Sequence, residues 1–307
     1  MTTAAADSKT IVLITGATRG IGFETAKHLS TSPDQNYHII LCGRRPSSVE
    51  SAITILRSLP NLHASTTFEF LNLDLTSDTS TISAAAAAAH IAAKHGHLDT
   101  LVHSAAISSS FLHTNVTDPR APESVRENWH SILDTHLIGP ALLTDALLPL
   151  LSASQKPERK IIFVSSGLGS IPYTFNNNNN NNDDDDDDDE GAANSRSGLV
   201  DLDNVTSKYT EYSASKAALN MYAKHLAWRL ENTKEGKTLG DTKGGHEAKK
   251  WKVNVVCPGY TSKTTGGLDG FRGKQEPWEA AETVVRVVQE QGEKTGTFRD
   301  KEGEVPW

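Results

Sequence analysis

Tyr212 and Lys216 stand four residues apart, and Ser166 lies upstream at the end of an apolar run. Residues i and i+4 share one face of a helix, so a helix starting near Tyr212 sets an ammonium beside a phenol. A neighbouring cation stabilises the phenolate and draws a tyrosine pKa down from about 10 toward working pH. Such a tyrosine gives a proton to a carbonyl oxygen, or takes one back from an alcohol. A serine hydroxyl at the same place hydrogen-bonds that oxygen and holds it. The three side chains are a complete set for moving a proton onto or off a carbonyl oxygen. What they lack is a hydride carrier.

The segment Thr15-Gly16-Ala17-Thr18-Arg19-Gly20-Ile21-Gly22 offers a place to bind one. It directly follows a strand-like run and opens a helical pattern, so Gly16, Thr18, Arg19, Gly20, Ile21 and Gly22 are candidate dinucleotide contacts. Gly16 permits the tight turn, Gly20 lets the backbone approach a pyrophosphate, and Gly22 lets the helix pack close to the sheet. The helix start then turns unpaired N–H groups and a partial positive charge toward the phosphates. The second strand-like run ends Leu41-Cys42-Gly43-Arg44-Arg45. No carboxylate is there to take the ribose hydroxyls of NAD, whereas Arg44 suits a 2′-phosphate, which a guanidinium grips with two parallel hydrogen bonds. Arg19 is placed to reach the same group, so NADP(H) is the expected cofactor. Asp74, after the third run, is placed to meet the adenine edge or to cap a helix.

Positioning these residues requires an alternating frame. Strand-like runs occur at Ile11–Thr15, His38–Cys42, Phe68–Asn72, Leu101–Ser104, Ile161–Ser165 and Val253–Val256. Helical patterns lie between and after them, at Phe23–Ser30, Ser80–His95, Ser124–Leu151, Ser213–Glu231 and Pro277–Gln289. That rhythm predicts an α/β fold of three layers, a parallel sheet covered on both faces by helices. The six alanines Ala84–Ala89 read as a crossover helix, alanine being the best helix former. Two segments break the rhythm. From residue 176 to 205 the chain is polar around Asn176–Asn182 and Asp183–Glu190, a density of like charge that predicts a disordered insert. Residues 232–250 read as a surface loop. Neither break marks a second domain, so residues 1–307 are expected to form one.

Charge and composition set limits on function. The net charge of −8 equals the contribution of Asp183–Glu190, and the rest of the chain is close to neutral. No basic stripe points to nucleic acid. No run approaches the roughly 18 apolar residues of a membrane helix, and Met1–Lys9 lacks the apolar core of a signal peptide; a cytoplasmic, soluble protein is expected. The two cysteines, Cys42 and Cys257, sit in apolar runs and read as buried thiols. No metal site is expected; calcium needs spaced ligands and a turn glycine, not a run of aspartates.

The order of these motifs resembles the short-chain dehydrogenase/reductase family over almost the whole chain, from Thr10 to Trp307. The resemblance rests on Thr15–Gly22, Asp74, Val164-Ser165-Ser166, Tyr212–Lys216 and Cys257-Pro258-Gly259. It implies a single doubly wound Rossmann domain. Tyr212 is then the catalytic acid/base, and Lys216 lowers its pKa and holds the nicotinamide ribose. Ser166, the second of its pair, orients the substrate carbonyl. Pro258, Gly259 and Thr261 line the nicotinamide. The ending Gly296–Gly303 with Pro306-Trp307 resembles the carbonyl-reductase-type members, which reduce ketones and aldehydes with NADPH. Those monomeric members also carry a long insertion before the catalytic tyrosine, so a monomer is favoured over a dimer here.

The chain departs from the family pattern in three places. His103-Ser104-Ala105-Ala106 stands for the usual Asn-Asn-Ala-Gly. His136 stands where the family's relay asparagine holds a water, and a histidine titrating near neutral pH can take that role with a different pH profile. Lys263, with Thr264 beside it, stands for a nicotinamide-contacting threonine. The main expectation is an NADP(H)-dependent oxidoreductase interconverting a small ketone or aldehyde and an alcohol. The alternative is an NADPH-binding protein with weak or no turnover, because the relay position is His136. Substrate contacts in the family come from loops near Ile107–Thr117, Leu168–Phe175 and Thr264–Arg272.

Overall fold

The computed structural model describes residues 9–76, 80–107, 121–175, 209–233, 250–261, 275–292 and 294–307. The polar insert of residues 176–205, most of the 232–250 loop, Lys263 and Thr264 lie outside the described residues. Seven parallel strands form one sheet in the order β3-β2-β1-β4-β5-β6-β7. They are β1 (Thr10–Thr15), β2 (Tyr37–Gly43), β3 (Thr67–Asn72), β4 (Thr100–His103), β5 (Glu158–Val164), β6 (Lys250–Val256) and β7 (Phe298–Arg299). The chain starts mid-sheet, winds out to β3, returns beside β1 and winds out the other way. This is the doubly wound arrangement, and its strand order reverses between β1 and β4, where such folds bind ligands.

Alternation along β1 shows how the layers are held. Ile11 and Leu13 face one core, with residues of α3 (Ser80–Lys94), α5 (Gly139–Ser152) and α7 (Thr210–Asn232). Val12 and Ile14 face the other, with residues of α1 (Gly20–Ser30), α2 (Pro46–Arg57) and α8 (Pro277–Gln289). Two apolar faces on one strand require helices on both sides. Both cysteines are free and buried.

The long pattern at Ser124–Leu151 is not one regular helix. It begins as α4 (Ala121–Leu133), widens into a π turn at Asp134–Ile138 and continues as α5. Widened turns of this kind recur at functional sites. Gly139 closes this one: a Cβ there would stand 2.5 Å from the Leu75 carbonyl oxygen, so only glycine lets the helix approach that loop. Among the described residues, Val125–Ser152 alone is long and apolar enough to cross a membrane. Its Leu143, Leu147 and Leu151 are buried against the sheet, as in the core helix of a packed domain. A short helix, α6 (Ile171–Phe175), follows β5.

At the N-terminal ends of the strands a buried carboxylate joins three elements. Asp99 accepts hydrogen bonds from the Ile11 N–H at 2.8 Å and from the Ser154 hydroxyl, and its backbone carbonyl accepts from the Lys160 N–H. These bonds tie β1, the end of α5 and β5 to the start of β4. Asp99→Ala leaves two donors without an acceptor, and the expected loss is about 2–3 kcal/mol. Urea denaturation followed by circular dichroism measures it, and Asp99→Asn should lose less.

Candidate active site

The C-terminal ends of β1, β2, β4, β5 and β6 open onto a cleft with a cavity volume of about 470 Å³. One wall is the glycine turn. Gly16 and Gly20 have φ of +65° and +61°, the left-handed region that favours glycine. A Cβ on Gly16 would lie 2.6 Å from the Ala105 Cα, and one on Gly22 would lie 2.7 Å from the Gly16 carbonyl oxygen. The turn is therefore packed to backbone contact, and the space beside it is the cleft. α1 begins there with neither a side-chain cap nor an acidic residue in its first turn. That end suits an anion. Thr18, Arg19, Gly20, Ile21 and Arg44 all line the same cleft.

Other candidates take separate places. Asp74 does not line the cleft; its Oδ1 accepts from the Thr76 N–H at 2.9 Å and the Thr76 hydroxyl at 2.8 Å. It acts as a local cap, and Thr76 lines the cleft instead. His103 points into the core, stacked on Phe163 and 2.8 Å from the Thr144 hydroxyl, with burial holding its pKa down at about 3. The Thr15 hydroxyl accepts from the N–H groups of Ser104 and Ala105 and so fixes that loop, a bond between distant segments that the glycine-turn motif does not announce. Pro258, Gly259 and Thr261 line the far wall with Cys257.

The opposite wall carries Ser166, Tyr212 and Lys216. Both serines line the cleft; the buried Ser165 donates to Asn220 Oδ1 at 2.6 Å, whereas the Ser166 hydroxyl stands beside the Tyr212 phenol and favours its ionised form. The two adjacent serines thus differ in their partners: the Ser165 hydroxyl is committed to Asn220, and the Ser166 hydroxyl to the Tyr212 side. α7 brings Tyr212 and Lys216 to the same wall. Lys216 Nζ donates to the Val164 carbonyl at 3.0 Å and lies 5.6 Å from the centre of the Tyr212 ring. Gly169, in the 3₁₀ turn Gly167–Gly169, lets α7 approach: a Cβ there would stand 2.7 Å from the Lys216 carbonyl carbon.

The electrostatics differ from the sequence expectation. Burial pushes the Tyr212 phenol up to about 12; the nearby Cys257 thiol adds to this, and the bond with Ser166 opposes it. Burial likewise pulls Lys216 down to about 7. A buried ammonium this costly cannot be counted as the permanent cation that lowers a phenol's pKa.

His136, in the π turn, is buried and meets Tyr212 edge-on with ring centres 5.4 Å apart. The Ile107 N–H donates to Nε2 at 3.0 Å, so the neutral ring carries its proton on Nδ1. Nδ1 then donates to the Ser215 hydroxyl at 2.7 Å, which donates to the Tyr212 carbonyl at 2.7 Å. Both nitrogens are occupied, and burial followed by Lys216 holds the pKa well below the usual histidine range. His136 is thus no near-neutral titrating group, and it braces the first turn of α7 through Ser215. Ser215 lies inside the Tyr212–Lys216 motif, but nothing in its type announced this bond.

Comparisons with known proteins agree with this geometry. A family model described as short chain dehydrogenase matches residues 10–178. A short-chain dehydrogenase/reductase of a Phoma species is 35% identical over 228 residues, covering 74% of each chain. Salutaridine reductase of Papaver bracteatum is 26% identical, over 90% of this chain and 89% of its own. Among solved structures, NADPH-bound carbonyl reductase from chicken fatty liver superposes with a TM-score of 0.67 at 23% identity, over 98% of this chain and all of its own.

The depressed Lys216 pKa has a consequence for stability. Between pH about 7 and 10.5 the unfolded chain binds a proton at Lys216 that the folded chain does not. Stability from this group therefore falls as pH drops through that window and levels off below about 7. Lys216→Met removes the dependence. The variant's stability should gain on the wild type from pH 10 to about 7 and change no further below, measured as urea midpoints in the absence of cofactor.

Proposed function

Because the chain belongs to the short-chain dehydrogenase/reductase family, we propose that it interconverts a ketone or aldehyde and an alcohol with NADP(H). The observation that carries this reading is the meeting of Ser166, Tyr212 and Lys216 on one wall of a cleft whose other wall is the glycine turn. The residues present fit a dinucleotide: the uncapped start of α1 offers N–H groups to a pyrophosphate, and Gly16 and Gly22 let the turn pack to backbone contact beside the cleft. When bound, NADPH supplies the hydride that the carbonyl carbon accepts.

The protein's own residues handle the oxygen and its proton. Ser166 Oγ accepts from the Leu168 N–H at 3.3 Å, and its hydroxyl proton, directed toward the Tyr212 phenol in this structure, is the one a substrate oxygen beside Tyr212 would accept. Tyr212 stays protonated through the physiological range and is the proton donor during reduction. Lys216, with its pKa near 7, restores that proton more readily than an ordinary lysine. Leu168 and Tyr173 line the substrate end of the cleft, giving it an apolar wall with one phenol. The name of the Papaver relative, a reductase, favours the reductive direction.

The preference for NADP(H) rests on Arg44 and Arg19, both exposed at the cleft mouth where the adenosine end of a dinucleotide lies. A weak-turnover NADPH binder is the second reading, favoured by the occupied nitrogens of His136. The protein is taken to be a cytoplasmic monomer; light scattering decides between this and a dimer formed through the exposed Met221 and Trp228 of α7.

Two outcomes are expected. Tyr212→Phe should retain NADPH affinity and lose at least about 100-fold in the rate of cofactor oxidation with a carbonyl panel. If wild type and variant both bind tightly and neither oxidises NADPH, the binder reading replaces the enzyme. Arg44→Ala should weaken NADPH by about 10-fold or more, with NADH nearly unaffected; fluorescence titration measures both, and equal losses would remove the phosphate assignment.

A further inference from the structure

At the outer edge of the sheet, remote from the cleft, three histidines and a lysine converge on one carboxylate. Glu69 lies mid-strand in β3 and His38 near the start of β2. The register pairs His38 with Thr67 and Ile40 with Glu69, so both side chains leave the same face of the sheet. His90 and Lys94 lie one turn apart at the C-terminal end of α3, and His95 directly follows it. The carboxylate divides its oxygens between two sets. Oε2 is 3.0 Å from His38 Nε2 and 2.8 Å from His95 Nε2, while Oε1 is 2.5 Å from His90 Nε2 and 2.9 Å from Lys94 Nζ. Glu69 is buried, and His38 and His95 are largely so.

We propose that His38, His95 and Glu69 are the protein ligands of a site for a divalent transition metal of the zinc type. One ligand atom from each lies within 4.8 Å of the others. Zinc bonds imidazole nitrogen and carboxylate oxygen at about 2.0–2.2 Å, so ligand atoms at tetrahedral corners stand about 3.3–3.5 Å apart. The observed 3.0 and 2.8 Å separations need to open by only a few tenths of an ångström. Two imidazoles and one carboxylate are a donor set for zinc and not for magnesium or calcium, which take mainly oxygen.

The surroundings supply the outer partners that such a site needs. His38 Nδ1 is 2.8 Å from the Thr67 hydroxyl, so Nδ1–H can donate there while Nε2 turns its lone pair to the metal. His90 and Lys94 hold Oε1 and thereby aim Oε2 between the two imidazoles. The fourth position falls to water. Bound there, the metal joins the C-terminal end of α3 to the β2–β3 edge. It stands outside the cleft, which lies at the other end of these strands beyond Cys42 and Gly43.

The test is a titration of chelator-treated full-length protein with zinc chloride, followed by calorimetry and thermal unfolding. One equivalent of zinc per chain and a Tm rise of several degrees are expected. Cobalt(II) in the same site should give the intense visible bands of a four-coordinate N/O complex. The His38→Gln/His95→Gln double variant should lose more than the roughly 10–100-fold in affinity that removal of an outer partner costs. His90→Ala, at an exposed position, should fold and lose about 10-fold. No saturable zinc uptake by the wild type, or uptake of equal affinity by the double variant, overturns the proposal. If the double variant does not fold, the cobalt spectrum of His38→Gln alone carries the comparison, and unchanged bands overturn the site.

Discussion

Helix α7 rests on the turn after β5 with backbone against backbone. Gly169 makes this possible, since any Cβ there would enter the Lys216–Ala217 peptide. The contact is then locked by hydrogen bonds between buried polar groups. Ser165 donates to Asn220, Asn220 donates to the Gly169 carbonyl at 3.2 Å, and Lys216 donates to the Val164 carbonyl. Each bond runs between α7 and the end of β5 or its turn, so the height and rotation of the helix are set against the sheet. Ser166 and Tyr212 meet as a consequence, although 46 residues separate them in the chain. Closure entropy grows only with the logarithm of loop length, so a long excursion between them costs little once this contact forms.

The same tight packing determines the charge state of the site. Lys216, Tyr212 and Cys257 are all driven by burial toward their neutral forms. His136 is neutral for a second reason, because both of its nitrogens are already bonded. The part of the cleft wall formed by these residues is held close to neutral, while Arg19, Arg44, Asp300, Lys301 and Glu302 bring charge to the lining elsewhere. The arginines stand apart from it at the mouth, exposed and on the side of the glycine turn. The exposed guanidiniums thus line one part of the cavity, and the phenol and the buried ammonium another.

The two ends of the strands do different work. At the C-terminal ends, glycines let the backbone come close and leave N–H groups facing outward. Away from those ends, buried carboxylates gather donors: Asp99, at the start of β4, joins β1, β4 and the end of α5, and Glu69, mid-strand in β3, joins β2, β3 and the end of α3. A carboxylate in a buried position is tolerated only when its oxygens are satisfied. Both are, and each pins a helix end to the sheet on the face that carries α3, α5 and α7.

Much of the frame was legible in the chain because its signals are local. Apolar runs of strand length alternating with helical spacing gave six of the seven strands and the parallel sheet. The seventh, Phe298–Arg299, is too short to carry a period. The glycine turn, Ser166, Tyr212 and Lys216 were legible because each belongs to a short motif whose spacing has a chemical meaning. Other features depend on contacts between distant segments. No spacing reveals that Asp74 caps Thr76, that the π turn at Asp134–Ile138 fixes His136, or that Ser215 joins His136 to α7. Nor does any pattern bring His38, Glu69 and His95 together, since parallel pairing and a helix end do so. By itself the sequence determined which groups are available and along which periodic elements they lie. Only the tertiary structure decided which of them are buried and what they touch, and burial sets whether a phenol, an ammonium or an imidazole carries charge.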